Sequence, residues 1–597
     1  MLIEKLNIML KLFPFCFEMF SPAEIEEQYP FINNYLLNGD LGEDPLGNMY
    51  QEVLSKSIKQ RKGIVFTPIE VIEYILHQMQ FPQKEGINSP RKLIDLACGS
   101  GLFLEAAVKH IIELAQQMDL EEHEILKCIE ETIHGFDVDP IAVYLTKINV
   151  LRTIISIMKL NFPENYVLEL KIYQTNSLEK HSKKDSKTIL ELKKSQFDYV
   201  VGNPPYIESK RMDAETKAIC RSNFPESVMG SFDLYNCFID YGSQLLSPEG
   251  QLGFIIPNKF LISRYGKKLR KKFLEQKIIK QIVDLAHQKV FRPAVYPIIL
   301  ILNKNSSNGD QIEMIPNVSM DNLSNVNITN NRILSNRDIF VRSSNKTIFF
   351  LDDISMNIIQ RIFDKSNYNL IDLIRFRWSV SFHRKGLRKM FVFRQPKGKN
   401  PLKFLGGKEY GGNRELERYA IKWGGYWIDY DREKAKGMKN NFQDLKYFTE
   451  EKIFLCQHSL RIRATLDRDS YISKDIFLLG HLKDKAESLG VNLELILATL
   501  NSKLFSFLYA TMYSGTEIMG RYLHYLPMFL HDLPIIIPSN IEIKSITKLV
   551  KAILNTIDPD EKSRTDELID ENIFKIYGCN KEEIVYIEDY ISLNLKK

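Results

Sequence analysis

A strand-like run that ends in Asn-Pro-Pro-Tyr, at 197–206, carries the clearest chemical pattern in the chain. Two consecutive prolines cannot continue a strand ladder, so Pro204 and Pro205 fix an extended loop where the strand ends. The side-chain carbonyl of Asn203 and the main-chain carbonyl of Pro204 are then two adjacent acceptors, which suit the two hydrogens of an amino group. Binding both hydrogens would aim the nitrogen lone pair at an electrophile. Tyr206 adds a ring face for stacking on a planar base.

A second pattern lies upstream, in RKLIDLACGSGLFL at 91–104. An apolar strand ends at Asp95, and the glycines of 99–101 predict a sharp turn that brings a ligand to a helix N-terminus. Leu104 stands where the dinucleotide fingerprint has its third glycine. Further on, GFDVDP places Asp137 at the end of the next predicted strand, where a carboxylate can bind ribose hydroxyls. Each pattern alone could be a plain turn or a solvated acid, but their order favours a nucleotide-type cofactor site.

A basic segment follows at 375–403, with ten Lys and Arg and no Asp or Glu. A solvated charged face usually carries both signs, so this segment favours nucleic-acid binding. Aromatic residues interleave the charges, namely Phe376, Trp378, Phe382, Phe391 and Phe393. The residues expected to contact nucleic acid are Arg375, Arg377, Arg384, Lys385, Arg388, Lys389 and Arg394. A second basic cluster, RYGKKLRKKFLEQK at 264–277, is equally compatible with a contact surface and a solvated helix face.

The elements that must position these residues follow from the hydrophobic pattern. From 61 to 304, short apolar runs alternate with longer segments of helical period, which predicts an α/β fold with a mostly parallel sheet. Ligands of such sheets bind beyond the carboxyl ends of the strands. The other predicted parts are a helical segment at 1–60, a linker or peripheral connection at 305–345 and a β-containing domain at 346–540. The C-terminal residues 541–597 are predicted to form a closing pair of helices.

Composition limits the class of protein. The 597 residues are 44% hydrophobic and 26% charged, which is typical of a globular protein, and the net charge of +5 does not by itself indicate a nucleic-acid partner. Seven scattered cysteines without a C-x-x-C spacing predict neither a disulfide framework nor a metal site. Charged residues interrupt the apolar N-terminus, and no uninterrupted apolar run approaches 18 residues. We therefore expect a soluble, cytoplasmic protein without a bound metal or a membrane span.

In the order of its motifs, the chain resembles the γ-class N6-adenine DNA methyltransferases, which use S-adenosylmethionine. It most resembles the methyltransferase and recognition portions of Type IIG restriction–modification enzymes, from GNMYQEVLSKSIKQRKGIVFTP at 47–68 to KIYGCNKEEIVYIEDYI near the C-terminus. The resemblance implies a Rossmann-like methyltransferase domain with a mostly parallel sheet, a helical N-terminal extension and a C-terminal α+β target-recognition domain. It also implies methyl transfer to N6 of a flipped-out adenine in double-stranded DNA.

The resemblance assigns roles to individual residues. In GIVFTP at 63–68, Thr67 would reach the carboxylate of the cofactor, and the 95–101 loop would lie beneath its methionine and sulfonium. Asp137 would bind the ribose and Val138 would lie on the adenine face. Asn176 stands where the family usually has an aspartate that contacts the adenine amino group. The full set of expected cofactor contacts is Thr67, Asp95, Ala97, Cys98, Gly99, Gly101, Asp137, Val138 and Asn176.

Base capture and partners complete the expectation. Phe291, in QKVFRPAVYPIILIL, would pack on the flipped base opposite Tyr206. The expected partner is double-stranded DNA. Any cleavage would come from a separate restriction endonuclease, because only about 60 residues precede the first cofactor motif and they contain no PD…(D/E)-x-K pattern. Two alternatives stay open. The amino group could belong to an RNA base or a protein glutamine, or the chain could be a catalytically inactive DNA-binding specificity subunit.

Overall fold

A computed structural model gives the architecture as two compact units that divide between Val341 and Arg342. The predicted helical segment at 1–60 lies outside the described residues, and so does most of the 63–68 motif. The described residues are 67–158, 168–285, 296–305, 311–324, 333–342, 346–383, 386–406, 415–513, 517–518 and 522–595.

The first unit contains a twisted sheet and the helices that cover it. The strands in its described part are β1 Leu93–Asp95, β2 Ile133–Asp137, β3 Lys171–Gln174, β4 Phe197–Gly202, β5 Leu246–Pro257, β6 Ile279–Asp284, β7 Pro297–Asn303, β8 Gln311–Ile315 and β9 Ile333–Asn336. The helices are α1 Ile69–Gln78, α2 Lys84–Asn88, α3 Leu102–Gln117, α4 Glu122–Thr132, α5 Pro140–Met158, α6 Lys187–Leu192, α7 Ala214–Asn223, α8 Tyr235–Leu245, α9 Lys259–Ile262, α10 Lys267–Glu275, α11 Met320–Ser324 and α12 Arg337–Arg342.

The described strands of this sheet follow the order β3-β2-β1-β4-β5-β7-β6-β8-β9. The run from β3 to β5 is parallel, and β7 is antiparallel to both of its neighbours. The predicted mostly parallel sheet is thus confirmed. The central strands are buried on both faces, which explains why they appear in the sequence as continuous apolar runs.

The region expected to be a linker or peripheral connection, at 305–345, adds β8 and β9 to one end of this sheet. β8 pairs parallel with β6, and β9 closes the sheet as an antiparallel edge strand. The two strands were not predicted, because Asn-rich and Ser-rich stretches surround them. A strand of four or five residues leaves little hydrophobic pattern between such stretches.

The second unit contains small sheets, in which most strand pairs are antiparallel, and a helical C-terminal end. Its described strands are β10 Tyr368–Asn369, β11 Ile374–Trp378, β12 Val392–Phe393, β13 Pro401–Leu405, β14 Leu416–Glu417, β15 Ala420–Ile421, β16 Tyr426–Asp429, β17 Lys452–Cys456, β18 His458–Ser459, β19 Ala464–Asp467, β20 Ile472–Ser473, β21 Phe477–Leu482, β22 Glu517–Ile518, β23 Tyr522–His524 and β24 Pro534–Ile535. Its described helices are α13 Asp353–Lys365, α14 Leu370–Leu373, α15 Arg432–Gly437, α16 Lys446–Thr449, α17 Asp484–Ser488, α18 Leu493–Asn501, α19 Lys503–Met512, α20 Pro527–Leu530, α21 Asn540–Asn555, α22 Pro559–Ile576 and α23 Lys581–Asn594.

Two four-stranded sheets organise the second unit, in the orders β11-β21-β17-β19 and β12-β16-β13-β20. A cluster of buried side chains between residues 380 and 479 forms a core of its own. At the C-terminus, a closing pair of helices was predicted, and the structure has three helices, α21 to α23. Capping boxes at the starts of α21 and α23, Ser539 with Glu542 and Asn580 with Glu583, define where two of them begin.

Helix α5 is long and apolar enough, by length and composition, to cross a membrane, and the bent pair α18–α19 passes the same test as one span. In the fold, 67% of the apolar window of α5 is buried, and the helix packs beside α3 against the sheet. A buried core helix of this kind has the same composition as a membrane span.

The functional edge of the sheet is set by the pairing of β1 with β4. The strands are parallel with Asp95 opposite Val201, so the chain leaves both strands at the same edge. Connections run away in opposite directions on either side of this pair, which opens a crevice of the kind that binds ligands in α/β proteins. Gly202 comes directly after Val201 with a φ of +147°, and a Cβ there would lie 2.7 Å from Asp95 Oδ1.

We expect Gly202→Ala to destabilise the first unit by about 1–3 kcal/mol, because the side chain would add backbone strain and press on the Asp95 carboxylate. Thermal unfolding followed by circular dichroism should show the loss. The matched control is Gly86→Ala, where the new Cβ would make only ordinary contacts, at 3.6 Å or more, with Arg91. Equal unfolding midpoints for the two variants would contradict the prediction.

Candidate active site

The loop between β1 and α3 folds as a tight turn with one side open. Cys98 N donates to Phe136 O at 3.0 Å, and Gly101 N donates to Cys98 O at 2.8 Å. Gly101 has a φ of +94°, and a Cβ there would lie 2.7 Å from Thr146 Cγ2, so only glycine fits. A Cβ at Gly99 would instead meet no atom within 4 Å. The backbone at Gly99 therefore borders open space that a ligand can enter.

Helix α5 supports this loop through two polar side chains that the sequence analysis missed. Thr146 Oγ1 donates to Gly99 O at 2.9 Å, and Asn149 Nδ2 donates to Ser100 O at 2.9 Å. Both side chains are buried. Residues three apart on a helix share a face, so a Thr and an Asn at this spacing in an otherwise apolar helix are the signal that could have identified them.

Asp137 lies beside the glycine loop, as the two sequence motifs led us to expect. Its Oδ2 accepts from Gly99 N at 3.0 Å, and its Oδ1 accepts from Asp139 N at 2.9 Å. The adjacent Val138 is 60% exposed, although it follows a buried strand. An exposed apolar side chain next to a positioned carboxylate offers a flat surface beside a hydrogen-bond acceptor.

Asp95 is the most strongly perturbed acid of this site. Its side chain is buried, and its Oδ1 accepts from Ala97 N at 2.9 Å. Burial raises the pKa of Asp95 to about 7; the hydrogen bond from Ala97 opposes this shift, and the charge of Asp137 adds to it. A cation bound nearby would favour the ionised carboxylate, because an opposite charge stabilises the charged form.

The Asn-Pro-Pro-Tyr loop emerges from β4 next to these groups. Asn203 Nδ2 donates to Thr67 Oγ1 at 3.0 Å, a bond that joins residues 136 positions apart. Thr67 is buried, Pro204 is buried, and Pro205 is half-buried. The structure thus brings the predicted amino-binding residue into contact with a predicted cofactor residue. Because the amide nitrogen is the donor in this bond, the amide oxygen is fixed as the acceptor side of the group.

The ring of Tyr206 is held in place from two directions. Its hydroxyl donates to Ile255 O at 3.0 Å, and its ring meets the edge of Tyr235 with centroids 6.1 Å apart. Burial, together with the charge of Asp233, raises the pKa of Tyr206 above its ordinary value. Phe291, which we expected opposite this ring, lies outside the described residues.

Asn176 lies in the loop after β3, where its side chain shapes a turn. Its Oδ1 accepts from Leu178 N at 3.1 Å. An amide oxygen has two acceptor sites, so this turn still allows a second hydrogen bond to a ligand.

The buried side chain of Lys193 stabilises the loop that contains Asn176, and the sequence analysis missed this lysine. Lys193 Nζ donates to Asn176 O at 2.8 Å, to Glu179 O at 2.8 Å and to Asp185 Oδ2 at 2.6 Å. The Lys193 side chain is 0% exposed. Three donors thus meet three acceptors, which is the full capacity of an ammonium group. Thr175 Oγ1 donates to the other oxygen of Asp185 at 2.7 Å.

The basic segment at 375–403 lies in the second unit and exposes most of its cations. Arg375, Lys389 and Arg394 are exposed, while Arg377 and Arg388 are half-buried. None of these five forms an ion pair with an acid among the described residues. Arg384 and Lys385 lie outside the described residues.

Two of these arginines lie over aromatic rings instead. The Cζ atom of Arg377 is 4.4 Å from the ring centroid of Tyr447, and that of Arg394 is 4.0 Å from the ring centroid of Tyr426. These contacts hold the guanidinium groups without neutralising their charge.

The aromatic residues of the basic segment do not all lie at the surface beside the cations. Phe376 and Phe391 are buried, and Phe382 packs against the core of the second unit. Phe393 is half-buried, and Trp378 is 44% exposed. Most of these rings therefore pack in the core of the second unit instead of lying at the surface with the cations.

We expect Lys193→Met to destabilise the first unit by about 3–5 kcal/mol, because it would leave the buried Asp185 carboxylate without its cation. Urea unfolding followed by circular dichroism measures the loss. The matched control is Lys187→Met on the preceding helix, whose side chain is 91% exposed and lies 3.8 Å from Glu191. That variant should change stability by no more than about 0.5 kcal/mol. The double variant Lys193→Met/Asp185→Leu should recover much of the loss, and a further large loss would refute the ion-pair explanation.

Comparison with known proteins agrees with this geometry. The family model described as Eco57I restriction-modification methylase matches residues 131–291, and the model described as TaqI-like C-terminal specificity domain matches residues 408–535. The solved structure of the Type IIL restriction-modification enzyme MmeI in complex with DNA aligns over 91% of this chain and 80% of its own, with a TM-score of 0.57 and 14% identity. The two chains therefore share a fold.

Two curated relatives match by sequence. The Type II methyltransferase M.BstVI of Geobacillus stearothermophilus is 28% identical over 40% of this chain and 42% of its own. The Type II restriction enzyme and methyltransferase RM.Eco57I of Escherichia coli is 28% identical over 44% of this chain and 31% of its own. The chain thus spans less than half the length of either relative. The chain thus matches an Eco57I-like methylase model followed by a TaqI-like specificity model, and it is similar in sequence to Type II methyltransferases.

Proposed function

We propose that this protein transfers a methyl group from S-adenosylmethionine to N6 of a flipped-out adenine at specific sites in double-stranded DNA. The observation that carries the proposal is the bond from Asn203 Nδ2 to Thr67 Oγ1, which ties an amino-binding loop to a cofactor motif. The curated relatives are named methyltransferases, which supports the reaction class.

The residues around the glycine loop fit this cofactor. Gly99 borders open space, Asp137 presents a carboxylate for the ribose, and Val138 presents an exposed apolar face for the adenine ring. Asp95 and Thr67 would lie toward the methionine end, and Asn176 would accept a hydrogen bond from the adenine amino group. When bound, S-adenosylmethionine supplies an electrophilic methyl group on a positively charged sulfur.

The protein's contribution to the chemistry is to position the target amino group. Asn203 Oδ1 and Pro204 O would accept its two hydrogens, which directs the nitrogen lone pair away from the ring system and toward the methyl group. No protein nucleophile is required, so the transfer is a direct in-line attack. The methylated nitrogen becomes acidic and loses its proton to water or to these acceptors. Tyr206 would stack on the base, and Phe291 would pack on its other face.

DNA as the substrate is supported by the second unit. Its match to a specificity domain and its unneutralised cations both favour contact with a polyanion. Arginines read base edges more often than lysines, which mainly contact phosphates. We infer that Arg375, Arg377, Arg388 and Arg394, with Arg384, Lys385 and Lys389, contribute to this contact.

The biological setting that suits this activity is the modification step of a restriction–modification system. The relatives carry restriction–modification names, which supports this setting. We infer that the protein acts in the cytoplasm and that a separate restriction endonuclease is its functional partner.

We expect Asn203→Ala to lower the rate of methyl transfer by about 10²–10³-fold while cofactor affinity is retained, because its hydrogen bond acts mainly in the transition state. Tyr206→Ala and Phe291→Ala should each weaken capture of the flipped base, by about 1–3 kcal/mol. The assay is transfer of a tritiated methyl group to duplex DNA, with the modified nucleoside identified by mass spectrometry and cofactor affinity measured by calorimetry.

The control for these variants is Asn305→Ala, an exposed asparagine of the same unit, which should behave as the wild type. Label on N4 of cytosine, on RNA or on protein would refute the adenine assignment. Full activity of Asn203→Ala would refute the mechanism whichever base is labelled.

The basic segment yields a separate prediction. The triple variant Arg375→Gln/Lys389→Gln/Arg394→Gln should flatten the dependence of log K on log salt by about 0.9 for each phosphate that it no longer neutralises. The control triple, Lys422→Gln/Arg432→Gln/Lys485→Gln, removes the same charge from cations that face Glu417, Asp444 and Asp372. Fluorescence anisotropy of a labelled duplex measures both slopes, and identical slopes would show that the segment is a solvated face.

A further inference from the structure

The basic cluster at 264–277 separates into compensated and uncompensated cations. Arg270 is fully buried and donates to Phe260 O at 2.5 Å and to Ser263 O at 2.8 Å. Three lysines of α10 face acids, with Lys268 at 3.2 Å from Glu226, Lys271 at 3.7 Å from Glu275 and Lys272 at 3.0 Å from Asp240. Most of the charge of this helix is therefore balanced locally.

Arg264 and Lys267, at the start of α10, differ from the rest of the cluster. Arg264 is exposed and Lys267 is half-buried, and neither forms an ion pair within the part of the chain that the structure describes. Their neighbour Tyr265 links them to the candidate active site. Its hydroxyl is 3.1 Å from that of Tyr235, whose ring meets the edge of Tyr206.

Further cations come from the segment that directly follows Tyr206. This segment is anchored beside α8, because Ser209 N donates to Phe232 O at 2.7 Å and Leu234 N donates to Ile207 O at 3.0 Å. It exposes Lys210 and Arg211 four and five residues after Tyr206.

Glu208 connects this segment to α9. Its carboxylate lies 2.5 Å from Lys210 Nζ and 3.8 Å from Lys259 Nζ. The pKa of Glu208 lies below its ordinary value because Lys210 donates to it and because Lys259 and Arg211 add positive charge. One carboxylate thus holds two lysines. The buried Asp233, which forms a β-bridge with Glu208, is a second acid close enough to interact with Lys259.

We name the five residues Lys210, Arg211, Lys259, Arg264 and Lys267 the cationic rim. Besides Glu208, the acid nearest to Arg211 in sequence is Asp213, whose carboxylate caps α7 by accepting from Thr216 N at 2.6 Å. Among the described residues, Glu208 is the only acid that forms an ion pair with a rim residue, and it pairs with Lys210 and Lys259 alone. Like charges gathered at one site repel one another, which favours a site that is neutralised by an anion.

We propose that the cationic rim binds the backbone phosphates that flank the flipped nucleotide. The proposal rests on the proposed function, because it assigns the strand that enters the Asn-Pro-Pro-Tyr site. A base rotated out of the duplex remains attached to its sugar, so the phosphates on either side must come close to the mouth of the pocket. The rim supplies cations at that mouth from both the segment after Tyr206 and the start of α10.

The test compares two triple variants with equal charge changes. The rim variant is Arg211→Gln/Arg264→Gln/Lys267→Gln, and the control is Lys187→Gln/Lys268→Gln/Lys271→Gln, whose lysines face acids. The rim variant should raise the KM for plasmid DNA roughly tenfold or more and flatten the salt dependence of duplex binding by about 0.9 for each phosphate released. Its affinity for S-adenosylmethionine, measured by calorimetry, should stay unchanged. The single variant Arg264→Gln should show the same changes at smaller size.

The outcomes separate this proposal from the proposed function. If the wild type methylates DNA and the rim variant matches the control in KM and in salt slope, the rim proposal is wrong and the proposed function stands. If the wild type transfers no methyl group to DNA, the proposed function is wrong, and the anisotropy slopes decide the rim by themselves. A flatter slope in the rim variant alone supports phosphate binding, and equal slopes overturn it.

Discussion

The pairing of β1 with β4 is the constraint on which the candidate site depends. Because Asp95 lies opposite Val201, the loops that follow β1 and β4 leave the sheet side by side. The side chains of these two loops share one crevice. This closeness demands a residue without a side chain at 202, because the Asp95 carboxylate occupies that space. Burial raises the pKa of Asp95 to about 7, and the charge of Asp137, at the end of the other neighbouring strand β2, adds to this shift. A change in this register would separate the cofactor motif from the amino-binding loop.

Sequence patterns predicted the loops and strand ends of the site better than they predicted the distant residues that contact them. Strand ends, glycine turns and the Asn-Pro-Pro-Tyr loop follow from local residue types, and the parallel sheet that carries them is confirmed. The bond from Asn203 to Thr67 spans 136 positions, and no local pattern indicates which distant side chain will meet an amide. Lys193 was missed for the same reason, because a lysine in a charged stretch resembles a surface residue until the fold surrounds it. Strands β8 and β9 were missed because four or five residues carry too little periodicity.

Charge patterns in this chain show why counting cations does not locate a binding surface. In the 264–277 cluster, the helix turns Arg270 inward and aligns Lys268, Lys271 and Lys272 with acids. In the 375–403 segment, strand alternation sends Phe376 to the core and Arg375 to solvent. Backbone geometry thus determines which of the described cations lie near an acid and which do not. A net charge of +5 over 597 residues conceals two local surfaces with a much higher charge density.

The anchoring of the Tyr206 hydroxyl to Ile255 O has a consequence for conformational entropy. Ordering a mobile side chain at the moment of binding costs about 0.5–1.5 kcal/mol. In this fold the torsions of the tyrosine are already fixed by a bond to β5, so that cost falls on folding and not on the encounter with a substrate. A phenylalanine would present the same ring face without this anchor. The hydroxyl of Tyr206 therefore holds the ring in one orientation before a substrate binds.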